Sequence, residues 1–247
     1  DLHRNRRPTI AALGDPAAFL RQLAVECRPR VEWQAWRTAL AARDADRERE
    51  IDARAAAPSP HLNPLALLRA IDRALPPNAL LVADGGDFVA TAAYVVRPRG
   101  PLTWLDPGVF GTLGVGAGFA LGAAAVRPGA EVWILYGDGA AGYSLVEFDT
   151  FARHGIPVIA IVGNDAGWTQ IAREQVKVLQ DDVGTVLART DYDRVAEGFG
   201  AVGLRLDEAS RTDDVLAQAR RVAAGGRPVL INAWLDRTDF REGSISM

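Results

Sequence analysis

Two aspartates each follow a short apolar run of the sequence and could act together on a charged ligand. Asp138 comes just after the run 132–136, and Asp165 comes just after the run 158–162. Ligands of a parallel sheet bind beyond the carboxyl ends of its strands, so we expect both carboxylates at one edge of a sheet. Carboxylate oxygens in that position favour a divalent cation.

Residues 137–142 have the spacing G-x-G-x-x-G after a predicted strand and before a predicted helix, which is the pattern of a dinucleotide-binding turn. Asp138 argues against that interpretation, because its carboxylate faces the place where bare glycine backbone approaches a pyrophosphate. A divalent cation between Asp138, Asp165 and a diphosphate would turn this repulsion into attraction. A helix that we predict to open near Gly142 would add a positive end. An NAD-binding domain and a metal–diphosphate site therefore both remain open at this point.

Apolar runs and helical patterns alternate along most of the chain. The runs predict strands at 80–83, 132–136, 158–162, 202–206 and 229–233. Helices are predicted at 143–154 and 213–224, ended by Gly155 and Gly225, and a further helix begins at Pro64 behind the N-cap Asn63. This alternation predicts an α/β fold, a mostly parallel sheet of about six strands with helices on both faces.

The first 58 residues differ in composition from the rest. The run 9–13 predicts a strand and residues 17–25 a helix, which together cannot bury a core of their own, and 33–57 predicts a helical linker. We therefore expect residues 1–58 to be the end of a preceding domain with its linker, and 59–247 to form the main domain. The first residue is Asp1 rather than Met, so we expect a piece of a longer protein.

Composition excludes several classes of protein. Against 31 acidic residues the 247-residue chain has 28 Lys and Arg, a net charge of −3, so no general affinity for nucleic acid is expected. Cys27 is the single cysteine, which excludes an intrachain disulfide and favours a reducing, cytoplasmic compartment. The uncharged stretch 109–126 is glycine-rich, so we predict a buried loop and helix there rather than a membrane span.

Several polar residues near these motifs have ordinary structural explanations. Ser144 and Glu147 have the spacing of a capping box, and His154 suits the end of a helix. Trp168 either packs in the interior or forms a wall of the site. A second set faces either the site or solvent: Thr169, Gln170, Arg173 and Glu174.

Gly137-Asp138-Gly139, then the 24 residues 140–163, then Asn164-Asp165 resembles the signature of thiamin diphosphate enzymes. The chain departs from that signature at Asp165, where the family usually has Asn. The resemblance implies that Mg²⁺ is bound by Asp138, the side chain of Asp165 and the carbonyl of Gly167. Two diphosphate oxygens and a water would complete the octahedron.

Two further segments resemble the same family. Residues 108–114 match the segment in which a bulky side chain, here Leu113, wedges beneath the cofactor while the Gly111 carbonyl holds its pyrimidine amino group. Residues 84–88 match a loop that touches the diphosphate through backbone at Gly86, although Asp87 beside a diphosphate is awkward. Together the implied cofactor contacts are Gly86, Gly111, Thr112, Leu113, Gly137, Asp138, Gly139, Ala140, Asn164, Asp165 and Trp168.

The resemblance covers residues from about 60 to 247 and is to the acetolactate synthase-like group. Segments 148–154, 163–175 and 237–244 are most similar to the branch with acetolactate synthase-like proteins and 2-hydroxyacyl-CoA lyases. It implies an enzyme that cleaves or joins carbon–carbon bonds in a 2-oxo acid, 2-hydroxyacyl-CoA or aldehyde. The alternative of a non-catalytic subunit that retains the fold stays open.

The same resemblance implies an incomplete active site. The group's catalytic glutamate lies in a pyrimidine-binding domain, which this chain does not contain, so no catalytic residue is assigned here. We expect this chain to supply the diphosphate and metal half, and another chain or a missing part to supply the rest in a homo- or hetero-oligomer.

Overall fold

The computed structural model describes residues 4–28 and 33–243, so Ser244 of the segment 237–244 lies outside the described residues. Strands in these ranges are β1 (Ala79–Ala83), β2 (Trp104–Leu105), β3 (Glu131–Gly137), β4 (Val158–Asn164), β5 (Val202–Leu206) and β6 (Val229–Trp234). Helices there are α1 (Pro16–Glu26), α2 (Trp33–Ala55), α3 (Pro64–Ala74), α4 (Asp87–Val95), α5 (Gly116–Val126), α6 (Asp138–Ala141), α7 (Glu147–Arg153), α8 (Thr169–Leu179), α9 (Tyr192–Gly198) and α10 (Thr212–Ala224). Gly108–Phe110 and Ala209–Arg211 are single turns of 3₁₀-helix.

The strands form one parallel sheet in the order β2-β1-β3-β4-β6-β5, which confirms the predicted α/β fold. β1, β3 and β4 are mostly apolar, and all their residues except the half-buried Glu131 are buried, because helices cover both faces. β2 was missed because it has only two residues, both half-buried, and offers no apolar run.

Alternate residues of each strand feed two separate cores. In β1, Leu81 and Ala83 belong to the core beneath α3, α4 and α10, whereas Leu80 and Val82 belong to the core beneath α5, α7 and α9. This division follows from the two-residue period of a strand, whose successive side chains point to opposite faces. Both predicted layers of helices are therefore present.

The chain reverses its direction of travel across the sheet between β1 and β3. From β1 it steps outward to β2, then returns to place β3 on the other side of β1. The ends of β3 and β4 lie side by side, since Gly137 pairs with Gly163 in the register. Ligands of open parallel sheets bind where such a reversal separates the loops beyond the strand ends.

Contacts divide the chain into two units, residues 1–48 and 49–247. Within the first unit, Asp15 caps α1 by accepting a hydrogen bond from the backbone of Ala18 at 2.6 Å. The strand predicted at 9–13 is wrong, because Ile10 and Leu13 are exposed and no described segment pairs with this run. A strand without a partner leaves its backbone groups unpaired.

Residues 137–154 differ from prediction. No helix opens near Gly142, because the short α6 begins at Asp138 and Gly142 caps its end. Residues 142–146 form turns, so α7 is shorter than the predicted helix 143–154. The capping box is also absent here, since the Ser144 hydroxyl lies 3.2 Å from the hydroxyl of Tyr136 and Glu147 accepts from Thr150 instead.

The buried aromatic pair of α7 provides a test of this packing. Phe151 is fully buried and contacts Phe148 edge to face, with 5.4 Å between ring centroids. We expect Phe151→Ala to lower the free energy of unfolding by about 3–5 kcal/mol, because it leaves a cavity. Phe110→Ala is the control, since Phe110 is 88% exposed, and its effect should stay within about 0.5 kcal/mol. Equal losses in urea unfolding of the two variants would contradict this assignment of the core.

Candidate functional site

One cavity of about 670 Å³ lies beyond the carboxyl ends of β1, β3 and β4. It is therefore found at the reversal of the strand order, as expected for an α/β sheet. Ten of the twelve residues that the sequence predicted to bind the cofactor or the metal line it: Gly86, Gly111, Leu113, Gly137, Asp138, Gly139, Ala140, Asp165, Gly167 and Trp168. The structure thus brings together four sequence segments whose proximity the motifs predicted.

Thr112 and Asn164 do not line this cavity. The Thr112 side chain is exposed, and its hydroxyl donates to the backbone of Leu113. Asn164 is fully buried, and its amide donates to the carbonyl of Thr190 and to the side chain of Asn232, both at 3.1 Å. Their roles in cofactor binding stay predictions.

Asp138 is held at the cavity edge by backbone on both sides. Its two carboxylate oxygens accept hydrogen bonds from the N–H of Gly139 at 2.7 Å and of Gly167 at 3.0 Å. The residue is only 2% exposed, and burial raises the pKa of its carboxyl although these N–H groups oppose the shift. The Gly167 bond links the loop after β3 to the loop after β4.

Asp165 places a second carboxylate beside the first. Its pKa is raised to about 6, mainly because of burial; the charge of Asp138 acts in the same direction, whereas the Thr169 hydroxyl and the Arg237 guanidinium oppose the shift. Such a pair favours a cation, since two like charges in one site penalise each other.

No group of three or more His, Cys, Asp or Glu suited to a metal ion occurs within residues 4–28 and 33–243. A metal at Asp138 and Asp165 would therefore need backbone oxygen and oxygens of its ligand as well. Mg²⁺ accepts such sets, because it commonly combines one or two carboxylates with phosphate oxygens and water. The donors at this edge of the cavity fit that ion.

Several glycines at the cavity have neighbours that leave no room for a side chain. A Cβ on Gly139 would lie 2.5 Å from the indole of Trp168, and one on Gly85 would lie 2.2 Å from Leu113. Trp168 therefore both packs against the loop after β3 and forms a wall, which joins the two alternatives considered for it. Gly86 has a φ of +105° and lies against Gly137, a conformation and a contact that favour glycine.

Asp84 is a site residue that sequence analysis did not single out. Its buried carboxylate accepts from the N–H of Gly114 at 2.9 Å and of Gly116 at 2.7 Å. Burial raises the pKa of Asp84, and these two donors oppose the shift. The bonds fix the loop that carries Leu113. An aspartate directly after an apolar strand was the available signal.

Asp87 is compensated by two cations, which removes the difficulty of placing it beside a diphosphate. Its oxygens lie 2.8 Å from Arg173 Nη2 and 3.3 Å from Arg241 Nη1. Each of the three side chains is at most 10% exposed. Arg241 also donates to Gln170 at 3.3 Å. Thr169 and Gln170 line the cavity, whereas Arg173 serves the ion pair and Glu174 is exposed.

The remaining polar candidates lie elsewhere. Glu147 contacts Thr150, and His154 is exposed at the end of α7; neither lines the cavity. Gly155 follows with a φ of +60°, as a helix-ending glycine should.

Apolar residues around the cavity are uncovered. The loop after β2 exposes Val109 (99%) and Phe110, so the prediction of a buried loop in the stretch 109–126 is wrong; only the inner side of α5 is buried. Tyr143 and Ile171 are exposed as well. Exposed apolar groups concentrated near one cavity indicate a contact surface. None of the helices in the described ranges is long and apolar enough to cross a membrane.

Residues 84–233 match the family model described as "Thiamine pyrophosphate enzyme, C-terminal TPP binding domain". The chain belongs to this family. Thiamine pyrophosphate is another name for thiamin diphosphate, so membership supports that cofactor over the dinucleotide alternative. The matched range contains the β1, β3 and β4 loops that surround the cavity.

Curated relatives of this thiamine pyrophosphate enzyme domain are much longer. The proteins named "2-hydroxyacyl-CoA lyase 2" from Mus musculus and Bos taurus are 54% and 52% identical over 98% of this chain, which spans 39% of each relative. A "Probable acetolactate synthase" from Mycobacterium bovis is 33% identical over 93% of the chain and 42% of that protein. The chain thus spans about two fifths of the relatives it matches.

A solved structure supports the fold of the domain. It is titled "Rhodococcus jostii RHA1 thiamine diphosphate-dependent 4-hydroxybenzoylformate decarboxylase" and matches 74% of this chain and 34% of its own with a TM-score of 0.66. At 24% identity, the likeness supports the architecture alone.

The Asp84 clamp can be tested against a matched exposed aspartate. Asp84→Asn keeps one acceptor oxygen, so one N–H of the 114–116 loop loses its partner. We expect a loss of about 1–3 kcal/mol in unfolding free energy and faster amide exchange at 113–116. Asp106 also accepts two hydrogen bonds, from Trp104 and Gly108, but is exposed, so Asp106→Asn should have little effect. Losses of equal size would show that burial of the clamp is unimportant.

Proposed function

We propose that this chain binds the diphosphate of thiamin diphosphate through one Mg²⁺ ion, as half of the active site of a carbon–carbon lyase or carboligase. The observation that carries the proposal is the pair of the buried Asp138 and the half-buried Asp165 at the edge of one cavity, both with raised pKa values. Two like charges side by side and largely shielded from water favour a cation, and a cation there attracts a diphosphate.

The proposed metal ligands are Asp138, Asp165 and the backbone carbonyl of Gly167. Both oxygens of Asp138 already accept one N–H each, and a carboxylate oxygen retains a further lone pair for a cation. Asp165 replaces the neutral amide of the family signature and adds one negative charge, which should strengthen metal binding.

The remaining cavity residues are proposed to contact the cofactor on either side of this metal. Gly86, Gly137, Gly139 and Ala140 present backbone to the diphosphate at the ends of β1 and β3. Leu113 is proposed as the wedge, Gly111 as the acceptor for the pyrimidine amino group and Trp168 as a side wall. Asp84 supports this arrangement, because it fixes the loop that carries Leu113.

When bound, thiamin diphosphate supplies a carbon nucleophile for a carbonyl group and an electron sink for the bond broken beside it. The residues of this chain hold and orient rather than transfer protons. Asp138 and Asp165 would fix the diphosphate end of the cofactor, and Leu113 would set how closely its pyrimidine and thiazolium rings approach each other. Positioning of this kind affects the rate steeply.

The proposed substrates are a 2-hydroxyacyl-CoA, a 2-oxo acid or an aldehyde, as the names of the relatives support. We propose that the pyrimidine-binding domain with the catalytic glutamate lies in the part of the relatives that this chain does not span, or on a partner in an oligomer. The exposed Val109 and Phe110 support such a contact. Residues 1–58 are proposed to be the end of a middle domain with its linker.

Metal dependence tests the binding half of the proposal. In calorimetry with Mg²⁺, Asp138→Ala should abolish most affinity for thiamin diphosphate, whereas Asp165→Asn restores the usual family ligand and should retain binding. Excess EDTA should abolish binding by the unaltered chain, because the two carboxylates then repel the diphosphate. Glu174→Ala, at an exposed position outside the cavity, is the control. Undiminished binding in EDTA would overturn the metal bridge.

Activity tests the catalytic half. Cleavage of a 2-hydroxyacyl-CoA and carboligation of pyruvate should be undetectable with this chain alone, since the glutamate is proposed to lie outside it. Addition of a polypeptide that supplies a pyrimidine-binding domain should produce turnover. Turnover by the chain alone would place the proton-transferring acid within residues 1–247, and metal-dependent cofactor binding without turnover in the mixture would favour a non-catalytic subunit.

A further inference from the structure

Residues 185–193, here called the scaffold segment, run behind the loop that carries Asp165. The backbone N–H of Trp168 donates to the carbonyl of Thr185 at 2.8 Å, and the N–H of Leu187 donates to the carbonyl of Ala166 at 3.0 Å. These bonds flank the antiparallel bridge between Gly167 and Val186. The loop after β4 is therefore paired with the scaffold segment as in a short ribbon.

The same segment also binds the root of that loop. The Arg189 guanidinium donates to the carbonyl of Asn164 at 2.7 Å and to that of Leu235 at 2.9 Å. In return, the Asn164 side chain donates to the carbonyl of Thr190 at 3.1 Å. Asn164 is completely buried, so its end of this hydrogen bond is shielded from water, although Thr190 is exposed.

Tyr192 extends the scaffold segment to the other loop. Its hydroxyl donates to the backbone carbonyl of Asp138 at 2.9 Å, and the residue is buried. Since the Asp138 carboxylate accepts from Gly167, the loop after β3, the loop after β4 and the scaffold segment are joined pairwise in a closed arrangement. Each of the three is fixed by the other two.

Two carboxylates with like charge tend to move apart, and Mg²⁺ requires near-ideal octahedral geometry from its ligands. A group that fixes the backbone of a ligand residue therefore contributes to metal affinity. Residues behind the ligands commonly change metal affinity or activity by about 10–100-fold when they are replaced.

We propose that Tyr192 is a positioning residue, which fixes the Asp138 peptide so that its carboxylate and that of Asp165 meet one Mg²⁺ ion. The inference rests on the proposed function for the metal, while the fixing of Asp138 concerns the protein alone. Tyr192 acts through its hydrogen bond to backbone and does not touch the metal.

The unliganded 247-residue chain provides the first test. The N–H groups of Gly139 and Gly167 both donate to the Asp138 carboxylate, so their hydrogen exchange reports its position. Tyr192→Phe should accelerate exchange at these two amides by about tenfold. Tyr136→Phe is the matched control, because Tyr136 is fully buried and its hydroxyl bonds to Ser144 rather than to Asp138 or to the loop that carries Asp165. Unchanged exchange in Tyr192→Phe, or an equal change in Tyr136→Phe, overturns the proposal.

Magnesium titration provides the second test. With thiamin diphosphate held constant, we measure the Mg²⁺ concentration that gives half of the thermal stabilisation. Tyr192→Phe should raise it about 10–100-fold, with the full stabilisation recovered at high Mg²⁺, and Tyr136→Phe should leave it unchanged. Equal Mg²⁺ dependence in the two variants overturns the role in metal binding. Absence of any Mg²⁺ effect in the unaltered chain overturns the proposed function, and the exchange experiment then still decides whether Tyr192 fixes Asp138.

Discussion

The placement of two like-charged carboxylates beside each other, one buried and one half-buried, is the constraint that the rest of this site has to meet. Asp138 and Asp165 reach one edge of the cavity because the register of β3 and β4 pairs Gly137 with Gly163. Both charges are partly compensated. Backbone N–H groups donate to the Asp138 carboxylate, and the Arg237 guanidinium lowers the pKa of Asp165. These contacts limit the penalty of holding the two groups together.

The fold distributes that task over elements that are far apart in sequence. A parallel sheet brings the ends of β1, β3 and β4 to one edge, and the reversal of strand order opens a cavity there. Asp84 and Asp87 are the first and fourth residues after β1. Asp84 accepts hydrogen bonds from the loop that carries Leu113, and Asp87 forms an ion pair with Arg173. A cavity with many acidic residues therefore exposes less negative charge to a ligand than its composition suggests.

Much of this arrangement could be predicted because strands and their following turns are local features. The runs at 202–206 and 229–233 gave the observed strands nearly residue for residue, and the loops with Asp138 and Asp165 were placed together correctly. The failures concern partners distant in sequence. The run 9–13 has the composition of a strand, but no described segment pairs with it. The Ser144 hydroxyl contacts the hydroxyl of Tyr136 instead of capping a helix. Likewise the contact from Tyr192 to Asp138 has no local pattern in the sequence.

The three glycines of the segment 137–142 show how one string of letters can arise from different requirements. Gly137 is excluded from having a side chain by the carbonyl of Gly85, Gly139 by the indole of Trp168, whereas a Cβ on Gly142 would only approach the Gly139 carbonyl at 3.4 Å. In a dinucleotide-binding turn, the corresponding glycines make room for a turn, a pyrophosphate and a strand. The same spacing therefore has a different steric cause in this chain, where the indole of Trp168 rather than a pyrophosphate excludes a side chain at the second glycine.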